Sequence, residues 1–136
     1  MSYELRAHTA DVAVRATGGT LGETFAAIAD GMAAAMADDW PAGGDRHELT
    51  VTASNREALL FDYLDDLIYE RDVRSVLPVD NAGTVTETVD GWRFEGSYRG
   101  IPLSSVDARD LKAVTYSEMR IEGTADGWSA YVVFDV

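Results

Sequence analysis

The sequence predicts a single α+β domain spanning residues 1–136, in the order β-α-β-α followed by a β-rich half. Two observations carry this prediction. The first half alternates strand-like segments with two segments whose apolar residues recur at helical spacing. The second half holds two hairpin signals and no further helical pattern. A chain of 136 residues is long enough to bury a core of its own.

The N-terminal half begins with extended structure from Tyr3 to Thr17, interrupted at residues 8–10. A capping box at Thr20 and Glu23 then predicts the start of the first helix, because each side chain would satisfy a main-chain amide of the first turn. The apolar residues that follow recur at spacings of four and three and form its inward stripe: Leu21, Phe25, Ile28, Met32 and Met36.

A second strand and a second helix follow. Residues His47 to Ala53 alternate around Leu49 and Val51, which is typical of a half-buried strand. The run Ser54–Glu57 predicts another capping box and the start of the second helix. The residues expected to face inward from this helix are Leu59, Leu60, Tyr63, Leu64, Leu67 and Ile68.

The C-terminal half is predicted to form two hairpins. Residues 85–89 and 92–98 flank Asp90-Gly91, a favoured two-residue turn. Residues 100–110 are expected to be irregular. Residues 111–122 and 128–135 are expected to form the second hairpin. In its last strand, alternation separates Asp135 from the core face that carries Phe134.

The composition is strongly acidic, with 24 acids against 11 bases and a net charge of −13. Only one base is lysine, which indicates adaptation to high salt, where screening makes a dense carboxylate surface tolerable. The absence of a basic stripe disfavours direct nucleic-acid binding. The absence of cysteine excludes thiolate zinc sites. No apolar run reaches the length of a bilayer span and no signal pattern is present, so a cytoplasmic location is expected.

Asp11 and Asp135, near opposite ends of the chain, are the first candidate site. Should the fold bring them together with the main-chain carboxylate of Val136, three carboxylates would converge, and a bound cation would offset their repulsion. Oxygen-only ligands suit Ca²⁺, Mg²⁺ or Mn²⁺ better than Zn²⁺ or Cu²⁺. The alternative is that both aspartates are solvated strand ends.

Lys112 is the second candidate, because a chain that uses arginine elsewhere has kept one lysine here. Its compact ammonium fits contact with a phosphate or a carboxylate on a partner. On a strand, Lys112 would share a face with Val114, Tyr116 and Glu118. The alternative is that this lysine has been retained by chance and has no function of its own. His8 is expected more often as a hydrogen-bonding strut than as a ligand, and no local motif encodes a nucleophile.

Four blocks of the sequence, in this order, resemble the archease family. They are residues 8–12 (His-Thr-Ala-Asp-Val), 58–64 (Ala-Leu-Leu-Phe-Asp-Tyr-Leu), 112–116 (Lys-Ala-Val-Thr-Tyr) and 132–136 (Val-Val-Phe-Asp-Val). The blocks lie at both ends and in the middle, so the resemblance covers essentially the whole chain. Together with the acidic composition, it indicates a member from a salt-loving archaeon. The chain departs from the family at Ser117, where most members have histidine.

The resemblance implies an accessory protein without catalytic activity of its own. Archeases activate the RtcB-type tRNA-splicing ligase by promoting its guanylylation and multiple turnover, and they can broaden its nucleotide use. The family's metal ligands correspond to Asp11, Asp135 and Val136, with calcium expected first and magnesium or manganese as alternatives. Lys112, His8 and Glu118 are then expected to contact the ligase or its nucleotide, and tRNA only indirectly. The alternative function is a chaperone-like module for a tRNA-modifying methyltransferase.

Overall fold

The computed structural model describes residues 2–7 and 11–136, so the predicted interruption at residues 8–10 lies outside the described part. Its first sheet is antiparallel, in the order β1-β2-β8-β6. These strands are β1 (Ser2–Ala7), β2 (Asp11–Gly18), β8 (Gly127–Asp135) and β6 (Ala113–Val114). A further strand, β7 (Arg120–Thr124), also pairs with β8 and forms a hairpin with it. The C-terminal strand is therefore the centre of this sheet.

The second sheet has the order β3-β5-β4 and is also antiparallel. Its strands are β3 (Asp45–Ala53), β4 (Val76–Thr88) and β5 (Gly91–Pro102). The predicted hairpin is present, but its strands are longer than expected and its turn is Val89-Asp90, because Thr88 already pairs with Gly91.

Both helices begin at side-chain caps. In α1 (Leu21–Met36), the Glu23 amide donates to Thr20 Oγ1 at 3.1 Å, in line with the expected cap. In α2 (Arg56–Arg74), the N-cap is Asn55 rather than the expected Ser54. Its Oδ1 accepts from the Ala58 amide at 2.8 Å. Asparagine serves because its side-chain oxygen reaches the third amide of the helix as a serine would.

Helix α1 lies between the two sheets. A Cβ added at Gly31 would contact Val14 of β2, and one added at Gly22 would contact the backbone of β4 at Gly83. The helix therefore buries more than the single stripe that the sequence predicts. Its buried residues are Gly22, Thr24, Phe25, Ala26, Ala27, Ile28, Ala29, Gly31, Met32, Ala33 and Met36. Small alanines around the helix allow this close approach on two sides.

The substitution Gly22→Ala is expected to destabilise the fold by about 1–3 kcal/mol, because the new methyl group would meet main-chain atoms that side-chain rotation cannot move. These atoms are Gly83 O and Thr84 Cα, and the added Cβ would lie 2.9 Å from Thr84 Cα. Urea unfolding measures the loss. The control is Gly19→Ala, where the nearest atom is the Glu23 carboxylate at 3.8 Å. Equal stability of the two variants would contradict this contact.

Helix α2 turns its predicted residues inward, and all six of them are buried. They pack against core residues of both sheets, which include Phe94, Tyr98, Val132 and Phe134. The predicted α+β class is confirmed. No helix in the described ranges has the length and hydropathy that crossing a membrane requires.

The prediction of one continuous strand over residues 111–122 is wrong. Only Ala113–Val114 and Arg120–Thr124 are strands, and the Met119 amide closes a turn by donating to the Tyr116 carbonyl at 3.1 Å. Glu118 has a positive φ of 56°, which interrupts regular strand geometry. Consequently Lys112, Val114, Tyr116 and Glu118 do not share one strand face: Val114 is buried and the other three are exposed.

Candidate metal centre and partner-contact site

The two aspartates stand at the same end of the first sheet. Asp11 opens β2, Asp135 closes β8, and the two residues are opposite each other in the antiparallel pair. Opposite residues in such a pair have Cβ atoms about 4.5–5.5 Å apart. That spacing allows one cation to bridge both carboxylates. We refer to this end of the sheet, formed by Asp11, Asp135 and Val136, as the tip.

Lys112 lies close to the tip because it directly precedes β6, the strand that pairs with β8 on the side opposite β2. Ala113 of β6 is also opposite Asp135, and the Lys112 amide donates to the Asp135 carbonyl at 2.8 Å. The Lys112 side chain is exposed and makes no ion pair within the part of the chain that the structure describes. The Lys112 ammonium and the Asp11 and Asp135 carboxylates therefore belong to residues at, or next to, the ends of three neighbouring strands.

The donor chemistry of the tip fits a hard cation. Its groups are the carboxylates of Asp11 and Asp135 and the main-chain oxygen of Val136, all of which are hard donors. Among residues 2–7 and 11–136, no three histidine, aspartate or glutamate side chains converge at a metal-like spacing. Two side chains alone would bind a cation weakly, so main-chain oxygens, that of Val136 among them, and water would have to complete its shell.

The loop before Lys112 is held by a buried arginine. Arg71 of α2 is 9 % exposed, and its Nη1 donates to the Leu111 carbonyl at 2.7 Å and contacts Met36 Sδ at 3.4 Å. It also forms an ion pair with Asp72 at 3.0 Å. Sequence reasoning missed this residue. The signal was available, because Arg71 continues the inward stripe of α2 one turn beyond Ile68.

A second arginine fixes the same loop to the end of α1. The Arg109 amide donates to the Met36 carbonyl at 2.6 Å, and its Nε donates to the Ala35 carbonyl at 3.1 Å. These bonds satisfy carbonyls that the last turn of a helix leaves without partners. Its guanidinium also pairs with Asp38 at 3.0 Å. The region left as irregular by the sequence is thus an anchored segment.

Beyond Lys112, the chain is fixed to β8 and to α2. Thr115 donates twice to the Val133 carbonyl, from its amide at 3.1 Å and from Oγ1 at 2.9 Å. The Tyr116 ring stacks on Phe61 with centroids 4.2 Å apart and planes 8° from parallel. Partial burial and the neighbouring Asp62 carboxylate raise the pKa of Tyr116.

One of the predicted contact residues, Glu118, lies away from the tip. Glu118 lines a shallow cleft of about 430 Å³ on the outer face of the first sheet, together with Arg15, Arg120 and Tyr131. Arg15 is four residues along β2 from Asp11, a separation of roughly 13 Å in a strand. His8 lies outside the described residues.

Contacts between described residues connect the four blocks singled out in the sequence. Asp11 of the first block pairs with Asp135 of the last, and Ala113 of the third block pairs with Asp135 from the other side. Phe61 of the second block stacks on Tyr116 of the third. Segments that lie far apart in sequence are thus joined in one region, which no single block reveals.

The fold and this region define a small α+β domain built on two antiparallel sheets, with carboxylates gathered at one end of its central strand. The chain matches the Archease protein family (MTH1598/TM1083) over residues 3–136, and it belongs to that family. It is 33% identical to the protein archease of Thermococcus gammatolerans, over 98% of each chain. It is 32% identical to the protein archease of Methanosarcina acetivorans, over 98% of this chain and 95% of the relative.

Two solved structures have the same fold. Protein 1598 of Methanobacterium thermoautotrophicum superposes with a TM-score of 0.81 at 26% identity, covering 99% of each chain. A protein of Thermotoga maritima, described as an archease and possible chaperone, superposes with a TM-score of 0.66 at 21% identity. That superposition covers 98% of this chain and 96% of the other.

Proposed function

We propose that this protein is an accessory factor of tRNA splicing that activates an RtcB-type RNA ligase. It would promote guanylylation and multiple turnover of the ligase, and it would widen the range of nucleotides that the ligase accepts. Membership of the archease family supports the accessory role. The observation that carries the proposal is that contacts connect all four family blocks, with Asp11 of the first block opposite Asp135 of the last.

The proposed work of the tip is electrostatic. Asp11, Asp135 and Val136 would hold a divalent cation, calcium first and magnesium or manganese as alternatives. When bound, such a cation supplies positive charge to phosphate oxygens. The chain's own contribution is to orient the ligands: the Lys112 amide fixes the Asp135 carbonyl at 2.8 Å, and β2 fixes Asp11 beside it. The Lys112 ammonium would contact a phosphate or carboxylate of the ligase complex.

The charge of the chain supports an indirect relation to RNA. With a net charge of −13, the protein as a whole repels a polyanion. An activator that binds the ligase, and reaches tRNA only through it, avoids that repulsion. In this proposal the protein performs no reaction itself.

A reconstituted ligation assay with limiting ligase tests the proposal. We expect Asp11→Asn, Asp135→Asn and Lys112→Ala each to reduce multiple turnover towards the level of the ligase alone, because each removes a charged group at the tip or beside it. Asp126→Asn is the matched control, since Asp126 is an exposed acid in the turn at the far end of β8. It should retain full activation.

The role of the terminal carboxylate is tested by adding a few residues after Val136. This change removes the carboxylate from the tip and leaves every side chain in place, so we expect weaker calcium binding by titration calorimetry and weaker activation. Unchanged turnover in the three tip variants and in the extended chain would refute the site. Loss of activation with intact calcium binding would instead separate ligase contact from metal binding.

A chaperone-like function for a tRNA-modifying methyltransferase is the second candidate, favoured by the description of the Thermotoga maritima relative. It would require protection of the methyltransferase from aggregation. Because that protection would not depend on a cation at the tip, Asp11→Asn and Asp135→Asn should leave it intact. The same variants therefore distinguish the two functions.

A further inference from the structure

The second sheet has an open edge at β3. In the described part of the chain, β3 pairs with β5 on one side only. Every second residue of an edge strand points its amide and carbonyl away from the sheet. No described main-chain group outside the β3–β5 ladder hydrogen-bonds to these residues. The edge therefore offers unpaired donors and acceptors.

A groove runs along this edge. Its volume is about 460 Å³, and one wall is formed by the consecutive residues Thr50, Val51 and Thr52. Because successive side chains of a strand point to opposite faces, three consecutive residues on one wall mean that the strand edge itself lines the groove. The opposite wall is α2.

The wall from α2 is acidic. It consists of Asp62, Asp65 and Asp66, which are three and four residues apart and so share one face of the helix. None of them forms an ion pair with a described arginine or lysine, whereas Asp38, Asp72, Asp80, Glu70, Glu95 and Glu122 all do. Partial burial and the carboxylates of Glu70 and Asp65 raise the pKa of Asp66. Because no described arginine or lysine pairs with these carboxylates, the wall carries uncompensated negative charge.

The groove also offers apolar contact. Tyr69 lines it and is 61% exposed, and Val73, one helical turn further on, is exposed to the same extent. Exposed apolar side chains beside unpaired main-chain groups are the combination that binds an added strand, in which hydrogen bonds give affinity and side-chain pockets give selectivity.

We propose that this groove binds an extended basic segment of a partner protein, which adds to β3 as a fourth strand of the second sheet. Its lysine or arginine side chains pair with Asp62, Asp65 and Asp66, and an apolar side chain contacts Tyr69. The acidic wall repels RNA. A second copy of this chain is disfavoured because two molecules of net charge −13 repel each other. The groove lies on the second sheet, so this inference does not depend on the tip or on ligase activation.

A labelled peptide that alternates arginine and valine is the probe, and fluorescence anisotropy measures its binding to the full chain. The variant Asp62→Asn/Asp65→Asn/Asp66→Asn is expected to bind about tenfold more weakly, since each partly exposed ion pair contributes a fraction of 1 kcal/mol. The matched control is Glu87→Gln/Asp90→Asn/Asp126→Asn, which removes the same charge from exposed acids elsewhere. It should bind nearly as the wild type does.

Hydrogen exchange locates the bound peptide. We expect the peptide to slow exchange at alternate amides of β3, and a peptide with glutamate in place of arginine to have no effect. Equal loss of affinity in the two triple variants would overturn the proposal, as it would indicate attraction to the overall charge. Protection confined to other strands would also overturn the proposal. So would protection of β3 that increases with protein concentration in the absence of peptide, because a second copy of the chain would then occupy the edge.

Discussion

Replacing Phe94 with alanine is expected to lower the free energy of unfolding by about 3–5 kcal/mol, the cost typical of deleting a fully buried aromatic ring. Phe94 is 0% exposed. Its ring centroid lies 4.0 Å from the centroid of the Tyr63 ring and 6.3 Å from that of the Phe25 ring. It thereby joins β5 to both helices. Urea denaturation monitored by circular dichroism measures the change.

The control for this prediction is Phe61→Ala. Phe61 is only partly buried, and its main aromatic contact is with the exposed Tyr116. Its loss should therefore cost about 1 kcal/mol, since less apolar area returns to water. If both variants lost the same stability, the core would not be centred on Phe94.

The second large effect is expected for Arg71→Met. Methionine can fill the space of the arginine stem, but it leaves the Leu111 carbonyl without its donor at 2.7 Å. An unsatisfied buried carbonyl costs about 1–3 kcal/mol, and the ion pair to Asp72 is lost as well. We expect the loop before Lys112 to loosen, so the Lys112 amide should exchange faster with solvent, in addition to a loss of stability.

Arg74→Met is the matched control, because Arg74 lies on the same helix with its side chain 45% exposed and paired with Glu70 at 3.0 Å. An exposed pair contributes little to stability, because solvent screens the two charges. Exchange at the Lys112 amide should not change in this variant. If Arg71→Met lowered stability without any effect on that amide, Arg71 would support the core but not the tip.

The helices were predictable from sequence because their signals are local. The inward residues of α2 recur at helical spacing, and that spacing alone identifies the buried face. The cap of α1 follows from Thr20 and Glu23, three residues apart. The shift of the α2 cap from Ser54 to Asn55 shows the limit of such signals, since adjacent residues can make equivalent bonds.

Other features depended on contacts that a linear pattern does not encode. The bulge of β4 places Asp80 at a φ of 49° and turns Asn81 inward, where its amide and side chain both donate to Asp30 Oδ1, at 3.0 and 2.9 Å. The partner of this bulge is on α1, far away in sequence. Similarly, alternation predicted a strand through Lys112, whereas anchoring by Arg71 and Arg109 holds an irregular segment there.

The tip could be predicted only in part. Residue chemistry identified Asp11 and Asp135 as oxygen donors, but nothing in the local sequence states that β2 and β8 are neighbours. The family resemblance supplied that pairing as an expectation. The acidic groove beside β3 was not predicted, because Asp62, Asp65 and Asp66 have the spacing of any solvated helix face. Only the open strand edge opposite them distinguishes the groove.

The central position of β8 has a consequence for folding kinetics. This strand joins β2 on one side to β6 and β7 on the other, and β2 lies almost the whole chain away from it. The β1–β2 hairpin can form early, yet the long loop to β8 must close before the first sheet becomes continuous, which costs chain entropy and slows folding. Until that closure, the edge of β2 that later pairs with β8 is unpaired. A nascent chain therefore exposes a strand edge that can associate with other chains until its own C-terminal segment pairs with it.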